Sequence, residues 1–520
     1  MLIQLALSKQ LVLGEVLARQ ARNSPQKEAL VFKDKRYTYG QFNERVNRVA
    51  NGLIALGIEK GDKVALLFLN CTEIVECLFA THKVGAAVVP LNFRLVPKEL
   101  AYQVDNSDAK ALIFSDAFQE SVSSMRSELG KVEHYICAGA QSIEWAIDYE
   151  EFLSKYPVDE PSVLVDDDDP AYIMYTAGTT GRPKGAVLTH KNVLMGAAIN
   201  QCIERPTPDP DRQLIVFPLS HGAGAQLALC GVFRGGSNII LDVPTPENIL
   251  RLIQEEKITN VGLVPAIWNW LVNEPKLNEF DLSSLQMAGT TAAPMPLELK
   301  TRLLKTFPNV KIYEGFGQTE TSATVMAKPE DMFRKHGSVG RRIINVEVRI
   351  VDEDDKDVPV GEVGEIVYRG PSVTKEYYKN AEATAEAFRG GWFHSGDLVR
   401  QDDEGYIYVV DRKKDMIISG GHNIYPAELE EVLYTHPKIL EAAAIGVPDP
   451  EWGESVKAIV VPKAGETLTE EEVIEHCKQN LASYKKPKSV AFADELPRNA
   501  AGKVVKYLLR ERYGKATQSS

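Results

Sequence analysis

From about Tyr37 onward, short apolar runs alternate with segments of helical period, and this alternation constrains the fold more than any other feature. Val64–Leu69 reads as a buried strand, Ile74, Val75, Leu78 and Phe79 share one helix face, and Ala86–Val89 reads as the next strand. The pattern recurs in strand-like Ala111–Phe114, Tyr172–Tyr175, Leu214–Phe217, Asn238–Leu241 and Val261–Val264. Pro246–Glu256 and Pro296–Thr306 read as helices. Strands alternating with helices imply α/β architecture with parallel sheets. A chain of 520 residues exceeds what one hydrophobic core supports, so at least two domains and two such sheet layers are expected.

The character changes near residue 345. Val346–Val351, Glu365–Arg369 and Tyr406–Val410 are short strands separated by turn-rich segments such as DEDDKD and DDEG, which predicts a smaller antiparallel β region. The charged cluster Asp411–Asp415 marks a boundary, beyond which α and β signals mix. There, Thr469 followed by Glu472 forms a capping box that opens a helix over Thr469–Ser483. The expected organisation is an α/β N-terminal domain, residues 1–412, made of two sheet layers plus a small β region. A small α+β C-terminal domain, residues 413–520, follows. The acidic run Asp166–Asp169 reads as a solvated linker.

Composition excludes some classes of function. A formal charge of −13 opposes a general nucleic-acid surface, which needs basic clusters to replace counterions. No apolar stretch approaches the roughly 20 residues of a membrane span, and the N-terminus lacks the basic region and cleavage site of a signal peptide. The six cysteines are scattered without a C-x-x-C pair, so free thiols and a cytoplasmic location are expected. The sequence leaves association as a homodimer open.

Chemistry concentrates first in Thr176–Gly185, TAGTTGRPKG, directly after a strand-like run. Three glycines, three threonines and Lys184 within ten residues supply backbone N–H groups, hydroxyls and a point charge that can wrap a polyphosphate. The spacing is not that of a Walker loop. The segment resembles the phosphate loop of the adenylate-forming superfamily, which includes AMP-forming acyl-CoA synthetases, luciferases and adenylation domains. The family pattern has Ser where this chain has Ala177, which removes one hydroxyl but leaves Thr176, Gly178, Thr179, Thr180, Gly181 and Lys184 in place.

Four further motifs follow in family order. Glu314–Glu320, EGFGQTE, resembles the aromatic-Gly-x-Thr-Glu motif. The resemblance places Gly315 and Phe316 against adenine, Thr319 on the α-phosphate, and Glu320 with Thr176 on Mg²⁺, a hard cation that takes oxygen ligands. Ser395–Asp397, SGD, implies Asp397 on the ribose hydroxyls, assisted by Arg412. Asp411–Pro426, DRKKDMIISGGHNIYP, resembles the interdomain hinge and CoA-facing turn. It implies a pivot at Lys414, close backbone approach to pantetheine at Gly420 and Gly421, and Asn423 near the nucleotide. Many relatives carry Glu where His422 stands, and some carry Lys at Ile418. Pro497–Lys506 resembles the C-terminal signature and makes Lys503 the adenylation lysine.

The resemblance implies a carboxylic acid:CoA ligase using ATP, Mg²⁺ and CoA, with a mobile C-terminal domain. The acid first becomes an acyl-adenylate, and the CoA thiol then displaces AMP. Negative charge developing on the phosphates would be stabilised electrostatically by Mg²⁺, Lys503 and Lys184. Pro218–Gln226, PLSHGAGAQ, places His221 beside the substrate carboxylate as a positioning group or gate, with small residues after it. Thr291, where relatives often have no side chain, either narrows the acyl tunnel, contacts a polar substrate group or bonds backbone. Gln226, Trp268 and Trp270 are further candidates for pocket lining, although such aromatics are more often core. No arginine within these two segments suits a second carboxylate. A medium-chain aliphatic, cyclic or aromatic acid is therefore the expected substrate, and a dicarboxylate is less favoured. The alternatives are an enzyme that loads a carrier protein and a non-catalytic nucleotide-binding homologue.

Overall fold

A computed structural model describes residues 11–140, 143–176, 183–206, 208–293, 295–413, 415–419, 422–449, 452–481, 483–498 and 504–514. The chain groups into two compact units. One comprises Met1–Arg334, Gly340–Glu347 and Tyr368–Phe393, and the other Lys335–Val339, Val348–Val367 and His394–Ser520.

The first unit contains two sheets. In the nine-stranded sheet the strand order is Arg341–Arg342, Ser322–Ala327, Lys311–Gln318, Met287–Thr290, Asn260–Leu263, Arg212–Ile215, Ser237–Ile240, Glu28–Phe32 and Lys35–Thr38. The run from Lys311–Gln318 to Glu28–Phe32 is parallel, and both edges are antiparallel. The eight-stranded sheet is ordered Glu376–Tyr377, Lys184–Thr189, Pro170–Thr176, Ala87–Pro90, Lys63–Leu67, Ala111–Ser115, His134–Ala138 and Ile147–Asp148.

Helices Tyr39–Ala55, Thr72–Val84 and Gly222–Arg234 lie between the sheets, within a core cluster that draws Ile215 and Phe217 from one sheet and Val64, Val88 and Met174 from the other. All of Thr72–Val84 is buried, as befits a helix enclosed on every side. The outer face of the nine-stranded sheet packs on Ile249, Leu250, Trp268 and Leu303, and that of the eight-stranded sheet on Leu100, Val104 and Val122. The unit is thus a stack of alternating helical and sheet layers, as the period of the sequence requires. Every strand expected from the apolar runs is present, with ends displaced by no more than two residues. The acidic run is anchored, with Lys60 paired to Asp166 and Asp169, and Lys191 to Asp167 and Asp168.

In the second unit the short strands after residue 345 form an antiparallel sheet ordered Glu347–Val351, Val363–Arg369, Phe393–Gln401 and Ile407–Arg412. Beyond it, the long hairpin Ile439–Asp449 and Gly453–Pro462 carries helices Pro426–Tyr434 and Glu470–Asn480 on one core and Lys506–Tyr513 on another. The Thr469 capping box is present: its hydroxyl accepts the Glu472 N–H at 3.2 Å, and Glu472 accepts the Thr469 N–H at 2.9 Å. The helix ends at Asn480 rather than Ser483 because Leu481 turns to extended backbone (φ −132°).

Candidate active site

Strand Pro170–Thr176 returns as the antiparallel strand Lys184–Thr189, with Thr176 opposite Lys184. This pairing fixes both ends of the glycine- and threonine-rich segment. Gly178, Thr179, Thr180 and Gly181, expected to bind phosphate, lie outside the described residues.

The EGFGQTE segment is a strand and the turn that follows it, with no helix cap. Lys311–Gln318 pairs with Ser322–Ala327, with a register irregularity between Phe316 and Gly317. A Cβ on Gly317 would lie 1.9 Å from the Ser322 carbonyl oxygen, so only glycine permits so close an approach of the two strands. Gly315, Phe316 and Thr319 are half-buried on this hairpin, and Glu320 is buried at its turn.

The hairpin brings Glu320 to the end of strand Pro170–Thr176. Its Oε1 accepts the Thr176 hydroxyl at 3.0 Å and the Tyr377 hydroxyl at 3.0 Å. Its backbone carbonyl accepts the Thr374 N–H at 2.6 Å. Lys184 Nζ stands 5.3 Å from the centre of the Tyr377 ring, a cation–π distance. Burial, reinforced by the Glu320 carboxylate, pushes the Tyr377 hydroxyl up, so the phenol keeps its proton and acts as a donor. Thr176, Lys184 and Glu320 are therefore gathered as expected. Tyr377 joins them without having been anticipated, because a two-residue edge strand, Glu376–Tyr377, leaves no periodic trace.

His221 is the N-cap residue of helix Gly222–Arg234. A Cβ on the adjoining Gly222 would lie 3.5 Å from Met174 Sδ and 4.0 Å from Thr319 Cγ2, so His221 adjoins both motif-bearing strands. Its Nε2 is buried without a partner among the described residues. Burial, helped by Arg94, lowers its pKa to about 4, leaving a neutral imidazole with one uncommitted nitrogen. Gln226, one turn on, is buried and donates to Ser322 Oγ at 3.0 Å. The Thr291 hydroxyl bonds backbone, donating to Gly315 O at 2.7 Å. Neither tryptophan lines this face. Trp268 is enclosed in the outer core with its indole N–H on Gly289 O at 3.1 Å, and Trp270 is exposed.

In the second unit Asp397 and Arg412 are register partners on adjacent strands, and Arg412 Nε approaches Asp397 Oδ1 to 3.1 Å. Ser395 Oγ accepts the Asp397 N–H at 3.0 Å, and the intervening Gly396 takes φ +72°. The SGD segment is therefore a shaped bend that presents a carboxylate braced by a guanidinium. Asp411 is buried, accepting the N–H groups of Arg412 and Ala427 at 2.6 and 2.9 Å. Lys414, Gly420, Gly421 and Lys503 lie outside the described residues. Asn423 stands opposite Ile418 in the hairpin where Ser419 pairs with His422. Arg498 and Val504, which flank the segment containing Lys503, form an antiparallel bridge.

Among the described residues no cluster of three or more His, Cys, Asp and Glu side chains could hold a metal by itself. A hydroxyl beside a single carboxylate suits a cation that takes its remaining ligands from phosphate and water. Also among the described residues, no helix is long and apolar enough to cross a membrane.

Residues 17–378 match the family model of the AMP-binding enzymes, and residues 428–503 match that of the AMP-binding enzyme C-terminal domain. A feruloyl-CoA synthase of Amycolatopsis sp is 39% identical over 504 residues, covering 96% of this chain and 99% of that protein. The long-chain-fatty-acid–CoA ligase FadD13 of Mycobacterium tuberculosis is 38% identical over 509 residues, covering 96% and 98%. The crystal structure of the anthranilate CoA ligase AuaEII in complex with anthranoyl-AMP superposes with a TM-score of 0.88 at 28% identity, covering 96% and 97%. The chain belongs to the AMP-binding enzyme family and is an AMP-forming acid–CoA ligase that uses ATP and CoA.

Proposed function

We propose that the enzyme activates a medium-chain, cyclic or aromatic carboxylic acid as its acyl-adenylate and passes the acyl group to CoA, with Mg²⁺ as cofactor. The observation that carries the site assignment is the convergence of the Thr176 and Tyr377 hydroxyls on one oxygen of Glu320. In this reading Thr176 and Glu320 hold Mg²⁺, which when bound offsets negative charge on the phosphates. Thr179, Thr180, Lys184 and the backbone of Gly178 and Gly181 bind the phosphates, with Thr319 on the α-phosphate. Phe316 and Gly315 border the adenine, and Asp397 with Arg412 binds the ribose. His221, neutral at physiological pH, orients the substrate carboxylate through Nε2.

Residues 1–412 then act as the ATP- and acyl-binding part and residues 413–520 as a lid turning about Lys414. Lys503 serves adenylation, while Gly420, Gly421 and Asn423 serve the CoA and nucleotide side. One active site thereby uses two arrangements for two steps. Self-contained apolar cores on both sides of the hairpin Ile439–Asp449 and Gly453–Pro462 support movement of the lid as a body. The six unbridged cysteines support action in the cytoplasm. Relatives named for aromatic and long-chain acids support the substrate range. A panel of carboxylic acids scored by pyrophosphate release, with and without CoA, tests the reading. Acid-dependent release that needs CoA for turnover is expected, and release of ADP instead of AMP would refute it.

A further inference from the structure

On the face of the nine-stranded sheet that meets helix Gly222–Arg234, adjacent strands lack side chains at the same level. Gly262 and Gly289 are register partners. A Cβ on Gly262 would lie 3.3 Å from Leu227 and from Phe217, and one on Gly289 would lie 3.0 Å from Arg205 Nη1. Residues two apart along a strand share a face, so Thr291 continues this surface from Gly289. Gly315, tied to the Thr291 hydroxyl, borders it, and among the described residues a Cβ there would meet only Ala323, at 3.8 Å. Gly289, about 7 Å from Thr291 for two residues of strand, thus brings the Arg205 guanidinium against the same sheet face that Gly315 borders.

Arg205 follows the helical stretch that ends at Glu204 and is only 5% exposed. Its Nε and Nη2 are both buried without a hydrogen-bond partner among the described residues. Its neighbour Arg234 is committed, with Nε on Asp211 Oδ2 at 2.8 Å and Nη2 on Gln213 Oε1 at 3.0 Å. Burial pushes the nearby Cys202 and Cys230 thiols up, so they carry no compensating charge. Among the described residues two guanidinium groups thus share one carboxylate, Asp211, in a buried site, and an unpaired buried charge is costly. Nε and Nη2 lie along one edge of the guanidinium, where two parallel N–H groups match the two oxygens of a carboxylate.

We propose that Arg205 receives a second carboxylate at the far end of the acyl substrate, so that the preferred acids are dicarboxylic. This deepens, and rests on, the reading of the chain as an acid-activating ligase. Arg205 lies outside both segments in which the sequence offered no carboxylate-binding arginine. The distal carboxylate neutralises the excess charge and fills the donor edge, and the near carboxylate remains the one adenylated.

The test compares acids of matched length that end in carboxylate or methyl. Straight-chain pairs of six to ten carbons and the pair 4-carboxyphenylacetate and 4-methylphenylacetate are scored as kcat/KM by pyrophosphate release. The wild-type enzyme should favour the dicarboxylate by on the order of 10- to 100-fold, the scale of a charge-assisted bidentate contact. Arg205→Met should abolish that ratio while leaving methyl-terminated acids within a few-fold. Gly289→Ala, whose Cβ presses on Nη1, should erode it while Arg205 itself is retained. A wild-type enzyme that prefers the methyl-ended acid of every pair, or a ratio that survives Arg205→Met, overturns the assignment. If Arg205→Met does not fold, the Gly289→Ala ratio decides alone. Failure of every acid to support turnover would overturn this proposal together with the ligase reading.

Discussion

The Thr176 hydroxyl donates to Glu320 Oε1 across 3.0 Å, although the two residues stand 144 positions apart in the chain. The contact exists because an antiparallel return ends one sheet's loop strand at Thr176 while a hairpin in the other sheet turns at Glu320. Each residue brings oxygen, and Tyr377 adds a proton that orients the shared carboxylate.

Removing that proton should weaken metal binding more than folding. Tyr377→Phe should lower kcat/KM roughly 10-fold, as expected for loss of one hydrogen bond to a charged group. It should also raise the Mg²⁺ concentration needed for half-maximal rate. Glu320→Gln should cost 100-fold or more, the scale of one preorganised electrostatic group. Mn²⁺ binding followed by electron paramagnetic resonance in the presence of ATP gives a readout independent of turnover. Identical Mn²⁺ affinity in Tyr377→Phe and wild type would remove Tyr377 from the site.

Lys503→Ala should slow acyl-adenylate formation by roughly 100-fold or more, while thioester formation from supplied acyl-adenylate is largely spared. Single-turnover measurement of each half-reaction separates the two. Equal loss in both steps would contradict a role confined to adenylation.

At the proposed pivot, Lys414→Pro should restrict φ, leaving adenylation intact and depressing thioester formation. Overall turnover with CoA is the measurement, with pyrophosphate burst size as the control. Turnover equal to wild type would argue against rotation at this residue.

The pH dependence follows from buried neutral imidazoles. His190 and His221 are both lowered by burial to about 4, from an ordinary value near 6.5, and His190 Nδ1 accepts the Leu13 N–H at 3.2 Å. Between pH 6.5 and 4 the unfolded chain binds the extra protons. This stabilisation is therefore complete above pH 6.5 and is lost as pH falls towards 4, about 3 kcal/mol per histidine at most. Denaturant unfolding from pH 7.5 to 5 should show the decline, and His190→Asn should flatten it. An unaltered slope in that variant would assign the acid sensitivity to other groups.

Much of the candidate site was legible in the sequence because its residues fall in short contiguous segments. The loop from Thr176 to Lys184, the glycine that lets the EGFGQTE strand close on Ser322, and the Asp397 carboxylate beside Arg412 each belong to a short motif whose spacing is set locally. Tyr377 and Arg205 were not legible. One is a phenol on an edge strand, the other one arginine among many, and neither carries a periodic or motif signal. Trp268, a pocket candidate by sequence, proved to face the outer core because its helix, Pro265–Val272, packs with Ile249, Leu250 and Leu303 on the outer side of the nine-stranded sheet.

By itself, then, the sequence determined the layered α/β architecture, through the period of its apolar residues, and the nucleotide chemistry, through its loops. Tertiary structure alone decided which distant side chains share an oxygen, which buried guanidinium lacks a hydrogen-bond partner among the described residues, and where strands omit side chains together. These are consequences of register and packing between segments far apart in the chain, and no local pattern encodes them.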